Sequence, residues 1–474
     1  MMTNLLNVYY RMPQPMRSVM ATGYGYMVRS RRYGKLTREL VNVAHKREQW
    51  SAQEWREWQE AKLYRLLDHA ATRVPYYRQH WQERRAQGDL SSWLELENWP
   101  VLRKDAVRER PEEFIAEGLR HKLYWDRTSG STGKPIKTWK GRRVYQEWYG
   151  LVEARWRNWY GVTFEDRWAI FGGRVVTPFG QENPPYWVWN AGMNQLYLSS
   201  FHVKPQNTQH YLDALREHRI EYILGYTSSI YALAQQVLEQ GLPAPKLRVV
   251  VTNGEPLLDQ QRRVIEQAFS CPARVTYGMS EKVAAASECE AGNLHLWPEV
   301  GCLEVLDDSR DVRVAPGVDG RIVSTSLLNT DMPLIRYEVG DRGALGQGGS
   351  CECGRSLPLL ERVVGRLSDT LLTRDGRRVF YLYPVFFELP IKEAQVIQEG
   401  LDLLRVRLVP ARDYGELTGK EIVRRLRQRL GDVRVGIELV EHIEREATGK
   451  FRAGTCKVDG SAVLVGNCLF LEAR

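Results

Sequence analysis

The sequence predicts an α/β protein: a large N-terminal domain of mostly parallel, helix-covered sheets with a β-rich subdomain, then a small α+β C-terminal domain. Three observations carry this prediction. The chain has 474 residues and a mass of 54.9 kDa, more than one hydrophobic core ordinarily serves. Between residues 123 and 326 helical and strand patterns alternate, as they do where crossover helices cover a parallel sheet. The last hundred residues repeat a shorter strand–helix–strand pattern of their own.

The elements follow in order. The N-terminal part reads as helical: Ser51-Ala52-Gln53-Glu54 has the spacing of a capping box, and Trp55, Trp58, Leu63, Leu66 and Leu67 follow at helical intervals. Val74-Pro75-Tyr76-Tyr77 breaks that helix. Helices are predicted over 211–218, 229–239 and 257–269, and strands over 222–224, 247–252 and 274–277. Strands at 303–306 and 321–324 open the β-rich piece. A strand at 406–409, a basic amphipathic helix at 419–430 and a strand at 433–440 form the last unit.

Hydrophobic residues make up 43% and charged residues 26%, a globular balance that excludes a disordered chain. The formal charge of +9 suits anionic partners, and residues 1–47 are its most basic stretch, yet no aromatic-interleaved nucleic-acid motif accompanies it. No apolar run approaches the ~18–20 residues of a membrane span. The first ten residues lack the basic start and apolar stretch of a signal peptide, so a cytoplasmic protein is expected. Seven cysteines, spread thinly and odd in number, argue against a disulfide framework.

Thr128-Ser129-Gly130-Ser131-Thr132-Gly133-Lys134-Pro135 is the most informative stretch. Its glycines let backbone N–H groups approach an anion, and its hydroxyls and Lys134 add donors, which suits a polyphosphate. The glycine spacing and Pro135 exclude a Walker loop. A second constellation is Cys289 and His295, five residues apart, with Cys351 and Cys353 further on. Three thiols and an imidazole are a ligand set that Zn²⁺ accepts in closed structural sites. The alternative is that these cysteines are separately buried.

Further segments extend the pattern: Gly254-Glu255-Pro256, Tyr277-Gly278-Met279-Ser280-Glu281, Arg336-Tyr337-Glu338-Val339-Gly340-Asp341, Gly365-Arg366-Leu367-Ser368-Asp369 and Gly449-Lys450-Phe451-Arg452. With the glycine loop they make six ordered matches, and the chain resembles the adenylate-forming superfamily. Cys353-Gly354-Arg355 and Pro358 resemble its phenylacetate–CoA ligase-like branch, and the N-terminal arm and Gln395-Val396-Ile397-Gln398 its capsular-polysaccharide-biosynthesis subgroup.

That resemblance implies an ATP- and Mg²⁺-dependent ligase that activates a carboxylic acid as acyl-AMP and passes the acyl group on. It implies that the loop residues Thr128, Ser129, Gly130, Ser131, Thr132, Gly133 and Lys134 hold the β- and γ-phosphates. Tyr277, with Gly278 and Met279 and the Gly254–Glu255–Pro256 turn, would frame adenine. Ser280 would bond the α-phosphate, Glu281 would hold Mg²⁺, and Asp341, near Arg366, would accept the ribose hydroxyls. Lys450 would bridge carboxylate and α-phosphate. Residues 1–90 would form a helical extension, 91–365 the adenylation core, 366–369 a hinge centred on Asp369, and 370–474 a mobile small domain. Taken singly, Tyr277 reads as core and Lys450 as a surface lysine. Pocket candidates, by position, are Phe171, Arg174, His202 and Tyr226, although His202 alone reads better as structural. CoA and an amine both stay open as acceptor, as does a non-catalytic nucleotide-binding homologue. The acid and the oligomeric state are not encoded in any motif.

Overall fold

The structure is a computed structural model that describes residues 8–127, 136–178, 180–348, 351–366, 371–374, 378–379, 383–386, 389–445 and 451–458. It divides into two compact units, Met1–Val339 with Gly343–Arg362, and Gly340–Arg342 with Val363–Arg474.

The first unit opens with helices α1 (Gln14–Arg32), α2 (Lys35–Arg47), α3 (Ala52–Arg73) and α4 (Pro75–Ala86). The capping box is present: Ser51 Oγ accepts from the Glu54 N–H, and the Glu54 carboxylate accepts from the Ser51 N–H at 2.7 Å. Val74 ends α3 in extended backbone and Pro75 starts α4, where its missing N–H costs nothing.

Strands β1 (Leu123–Arg127) and β2 (Lys137–Gly141) pair antiparallel, and α5 (Arg142–Val152) follows. The central sheet contains β3 (Trp168–Gly172), β4 (Trp187–Asn190), β5 (Gln195–Ser199), β6 (Tyr222–Tyr226), β7 (Val249–Asn253), β8 (Ala273–Gly278), β9 (Ala285–Glu288) and β10 (Leu294–Leu296). Its order is β10-β9-β8-β7-β6-β3-β5-β4, with β5, β3, β6, β7 and β8 parallel. Helices α6 (Thr208–Glu217), α7 (Thr227–Glu239) and α8 (Asp259–Phe269) are the crossovers, and Leu212, Leu215, Ile230, Leu233 and Ile265 bury their apolar faces against Ile223 and Val250. At β4, an edge of this sheet, Ser18 Oγ and Thr22 Oγ1 of α1 accept the N–H groups of Trp189 and Ala191. The N-terminal helix thus completes an edge that would otherwise be open.

A second sheet, in the order β11-β12-β13-β14, holds β11 (Gly301–Leu306), β12 (Gly320–Ser326), β13 (Tyr337–Leu345) and β14 (Leu360–Arg366). In the second unit β15 (Leu371–Leu372) and β16 (Arg378–Val379) pair, and β17 (Ile391–Gly400), β18 (Leu403–Pro410), β19 (Arg434–Leu439) and β20 (Gly454–Cys456) form a sheet ordered β19-β18-β17-β20. Helix α9 (Glu416–Leu430) connects β18 to β19, burying Ile422, Leu426 and Leu430 on Val406 and Leu408. The strand and helix patterns read from the sequence in both units coincide with these elements to within a few residues.

One feature was not legible in the sequence. The π-helical turn Glu153–Arg157 after α5 buries Glu153, Arg155 and Arg157. Arg155 makes a two-pronged pair with Glu299 at 2.8 and 2.9 Å, and Glu48 lies 3.9 Å away. Removing one member of such a pair strands the other as a buried charge. Arg155→Met is therefore expected to destabilise the first unit by about 3 kcal/mol, with Arg155→Lys milder. Urea denaturation followed by tryptophan fluorescence reads this directly, because Trp297 lies against Arg155; equal midpoints for wild type and Arg155→Met would refute it.

Candidate functional site

Parallel register brings the loops together. Phe171 pairs with Gly225, Tyr226 with Asn253 and Asn253 with Thr276, so the carboxyl ends of β3, β6, β7 and β8 finish at one level. In open α/β sheets this edge is where ligands sit. Leaving it side by side are Gly173-Arg174, Tyr226-Thr227, Gly254-Glu255-Pro256 and Gly278-Met279-Ser280-Glu281. Close approach of β6 and β3 requires glycine at 225: a Cβ there would lie 2.3 Å from the Phe171 carbonyl oxygen.

The Gly254 turn has φ +72°, and its Glu255 does a structural task. The Glu255 carboxylate accepts from the Ser228 N–H at 2.7 Å and the Ser228 hydroxyl at 3.1 Å, which satisfies donors at the start of α7. Gly254 and Pro256 are exposed beside it. Tyr277 is half-buried, Gly278 faces Trp148 and Trp156, and Ser280 is exposed. Glu281 is buried, and its Oε1 accepts a 2.9 Å hydrogen bond from the Tyr337 hydroxyl. Two of the sequence motifs, more than fifty residues apart, are thus in direct contact. Arg336, next to Tyr337, is a structural residue: it pairs with Glu304 and donates to the carbonyls of Trp99 and Asp311.

Sequence reasoning missed a cluster beneath this motif. Asp126 on β1 lies 3.4 Å from both the Lys140 ammonium on β2 and the Lys282 ammonium. Both lysines are buried, and Lys282 sits over the rings of Tyr145 and Trp148. Burial pushes Lys282 down to about 7, and Lys140 adds to this against the pull of Asp126. Burial alone would raise Asp126, but Lys282 and Lys140 outweigh it and hold that carboxyl low. The only signal in the sequence was that Lys282 directly follows Glu281.

The glycine-loop residues Thr128, Ser129, Gly130, Ser131, Thr132, Gly133 and Lys134 lie outside the described residues, as do Asp369 and Lys450. The strands β1 and β2 flank that loop. Asp341 is half-buried on β13 and Arg366 ends β14, both in the second unit. There β17 holds the chain on each side of residues 446–450. Glu393 pairs with Arg445, whose guanidinium lies over Phe451, and Gln395 Nε2 donates to the Arg452 carbonyl at 2.9 Å.

Of the pocket candidates, Phe171 is wholly buried in the sheet core, against Tyr211, because its side chain points to the face that α6 and α7 cover. His202 is buried and stacked on Tyr186, with Nδ1 bonded to Ser199 Oγ at 2.7 Å. Arg174 bonds the Tyr24 hydroxyl, and its N–H donates to Tyr197 Oη. Tyr226 stands half-buried at the end of β6.

The Cys/His set converges within the first unit. Cys289, His295, Cys351 and Cys353 present ligand atoms all within 4.8 Å of one another. The β9–β10 hairpin brings Cys289 beside His295, and a bridge from His295 to Leu359 draws in the 351–359 segment. A tetrahedral zinc centre has S···S edges of about 3.8 Å and S···N edges of about 3.5 Å. Cys289 and Cys351 sulfurs are 3.7 Å apart, and Cys353 Sγ is 3.3 Å from His295 Nε2. His295 Nδ1 lies 3.1 Å from the Leu357 carbonyl, an acceptor, so Nδ1 carries the proton and Nε2 the lone pair, as a ligand requires. Burial holds His295 below its ordinary value and pushes the Cys289 thiol up to about 12. A cation in the cluster would reverse that cost by stabilising thiolate. The donor set, distances and tautomer fit a closed zinc site.

The chain is similar to known proteins along most of its length. Residues 371–455 match the family model of the CapK C-terminal domain. The Protein CapK of Staphylococcus aureus is 26% identical over 344 residues, which cover 70% of this chain and 72% of that protein. A phenylacetate–coenzyme A ligase of Pseudomonas putida is 27% identical, covering 69% and 73%, and that of Thermus thermophilus 25%, covering 77% and 83%. A 2-hydroxyisobutyryl-CoA ligase crystallised with 2-HIB-AMP has the same fold, with a TM-score of 0.67, 21% identity and coverage of 90% and 94%. The resemblance to the adenylate-forming superfamily, its phenylacetate–CoA ligase-like branch and its capsular subgroup is borne out, and so is the α/β fold class.

Elemental analysis of the purified chain is expected to find a zinc ion per chain, lost in Cys289→Ser and in His295→Ala. Metal removal is expected to lower the denaturation midpoint of the first unit. Metal content unchanged in both variants would rule this site out.

Proposed function

We propose that this chain is an ATP-dependent ligase that converts a carboxylic acid to its acyl-AMP and then forms a thioester with CoA. The hydrogen bond from Tyr337 to Glu281 carries the reading, because it joins two separated motifs at the carboxyl edge of the parallel sheet. The ligase relatives support the same activity.

In the first step a carboxylate oxygen attacks the α-phosphorus of ATP, a new O–P bond forms, and the bond to the departing pyrophosphate breaks. Charge accumulates on phosphoryl oxygens, so catalysis consists of positioning and supplying cations. The 128–134 loop would hold the outer phosphates, Ser280 the α-phosphate, Tyr277 and the Gly254 turn the adenine, and Asp341 with Arg366 the ribose. Glu281, oriented by Tyr337, would hold Mg²⁺, a cation that prefers oxygen ligands. Lys140 and Lys282, buried and both beside the Asp126 carboxylate, would gain positive charge when the nucleotide's phosphates favour their protonated forms. Lys450 would neutralise the attacking carboxylate and α-phosphate together. Arg174 and Tyr226 would face the acid. In the second step the CoA sulfur attacks the acyl carbon and AMP leaves with the C–O electron pair. A swivel at Asp369 that withdraws Lys450 would separate the two steps. The Cys/His set would hold a structural zinc away from the chemistry.

Pyrophosphate release across a panel of carboxylic acids, followed by CoA addition, tests the reading. A thioester product is expected, and an acyl-AMP captured by amines but not by CoA would overturn the acceptor. Lys450→Ala should lower acid-dependent pyrophosphate release by about a hundredfold or more. Asp369→Pro should slow thioester formation more than adenylation, and equal losses would count against the swivel. Lys282→Met should raise KM for ATP by about tenfold, equivalent to ~1.4 kcal/mol of binding; an unchanged KM would place that lysine outside the nucleotide's reach.

A further inference from the structure

Helix α1 has two unlike faces. The inner one is explained by the fold: Ser18 and Thr22 accept from the edge of the central sheet, Gly25 packs on Asn190, and Arg17 and Val28 are buried. The outer face has no such role. At about 100° per residue, Met16, Val19, Met20, Gly23, Met27 and Ser30 fall within an arc of about 100°, flanked by Tyr24 and Tyr26. All eight are exposed, Val19 by 72% and Met16 by 53%. Among the described residues fourteen large hydrophobic side chains are exposed, and seven of them lie between Val8 and Met27; the other seven are scattered.

Charge decides what can cover this face. Residues 1–38 hold Arg11, Arg17, Arg29, Arg31, Arg32, Lys35 and Arg38 and no acidic residue. Glu165 pairs with Arg29, while Arg142, another cation, donates to the Ser30 carbonyl. A second copy meeting this one through α1 would set two acid-free basic segments against each other. An anionic lipid surface is complementary to both properties at once, because it takes apolar side chains into the acyl boundary and cations at the phosphates. Tyrosines flanking the apolar arc suit the headgroup level.

We infer that the outer face of α1 docks this protein in the plane of an anionic membrane, with Met16, Val19, Met20 and Met27 entering the interface and the exposed Arg11, Lys35 and Arg38 binding lipid phosphates. No described helix is long and apolar enough to span a bilayer, so the attachment is peripheral and reversible.

Vesicle sedimentation with the full chain tests this. The chain should pellet with vesicles of phosphatidylcholine mixed with phosphatidylglycerol and stay in solution with phosphatidylcholine alone. Raising salt should weaken the binding. The triple variant Met16→Gln, Val19→Gln, Met20→Gln should retain its denaturation midpoint and lower the bound fraction by about tenfold. The variant Arg11→Ser, Lys35→Ser, Arg38→Ser should lose much of the preference for anionic lipid. Equal binding to both vesicle types, or no binding to either, would overturn the inference. So would a wild-type dimer in sedimentation velocity that the triple variant converts to monomer, since a second copy would then own the face.

Discussion

The hydrogen bond between Tyr337 and Glu281 is the constraint around which the rest of the first unit is arranged. Glu281 belongs to the segment that leaves the central sheet after β8, and Tyr337 begins β13 of the second sheet. A buried carboxylate must be hydrogen-bonded or it becomes a large cost, and a bond to a charged acceptor is worth about 1.5–3 kcal/mol. The contact therefore fixes the two sheets against each other at the edge where the strands end. Tyr337 is wholly buried, with Leu102 and Ile322 in the same cluster, so it cannot swing away without opening a core. Arg336 at φ +45° is held by Glu304, by the carbonyls of Trp99 and Asp311 and by the Thr325 hydroxyl, and this sets the direction in which Tyr337 enters.

The sequence revealed the periodic elements and the motifs, because both are local. The capping box at Ser51, the crossover helices and the parallel strands follow from patterns within a dozen residues. What it concealed depends on pairing across distance. Glu255 reads as one letter of a nucleotide-site turn, yet its carboxylate satisfies the start of a helix 27 residues earlier in the chain. Asp126, Lys140 and Lys282 form a cluster only because β1 and β2 fold back on each other and the turn after Glu281 carries Lys282 through φ +56°. Phe171 lies between motifs in the sequence, and only alternation along β3 shows that its ring faces the helix-covered side. The Cys/His set was legible as ligand chemistry, although its closure needed the His295–Leu359 bridge that no spacing rule anticipates.

The N-terminal helices are part of this frame. Glu48, just after α2, accepts from Trp159 Nε1 and pairs with Arg355, which lies over the Trp159 ring. Trp159 in turn meets the His295 ring edge-on. The N-terminal segment, the Arg155–Glu299 pair and the Cys/His cluster therefore share one buried polar network, in which each ion's desolvation is offset by several partners. A cation in the cluster would tighten the same network, because fixing His295 and Cys353 also fixes the loop that presents Arg355 to Glu48.

That integration bears on the outer face of α1. A helix needed only to cover β4 could carry charged residues on its solvent side, as surface helices usually do. Here four turns of solvent-facing positions hold methionine, valine and glycine, while the cations gather at the helix's C-terminal end and beyond it. Exposed methionine and valine add nothing to the fold and raise the risk of aggregation, which the basic 1–38 segment offsets by repulsion between copies. The two properties together are economical only if the face has an anionic, apolar counterpart. The helix would then serve as a rigid link: Ser18, Thr22 and Gly25 lock one side to the edge of the sheet whose carboxyl ends form the candidate site, and the other side sets the orientation of that sheet at a surface.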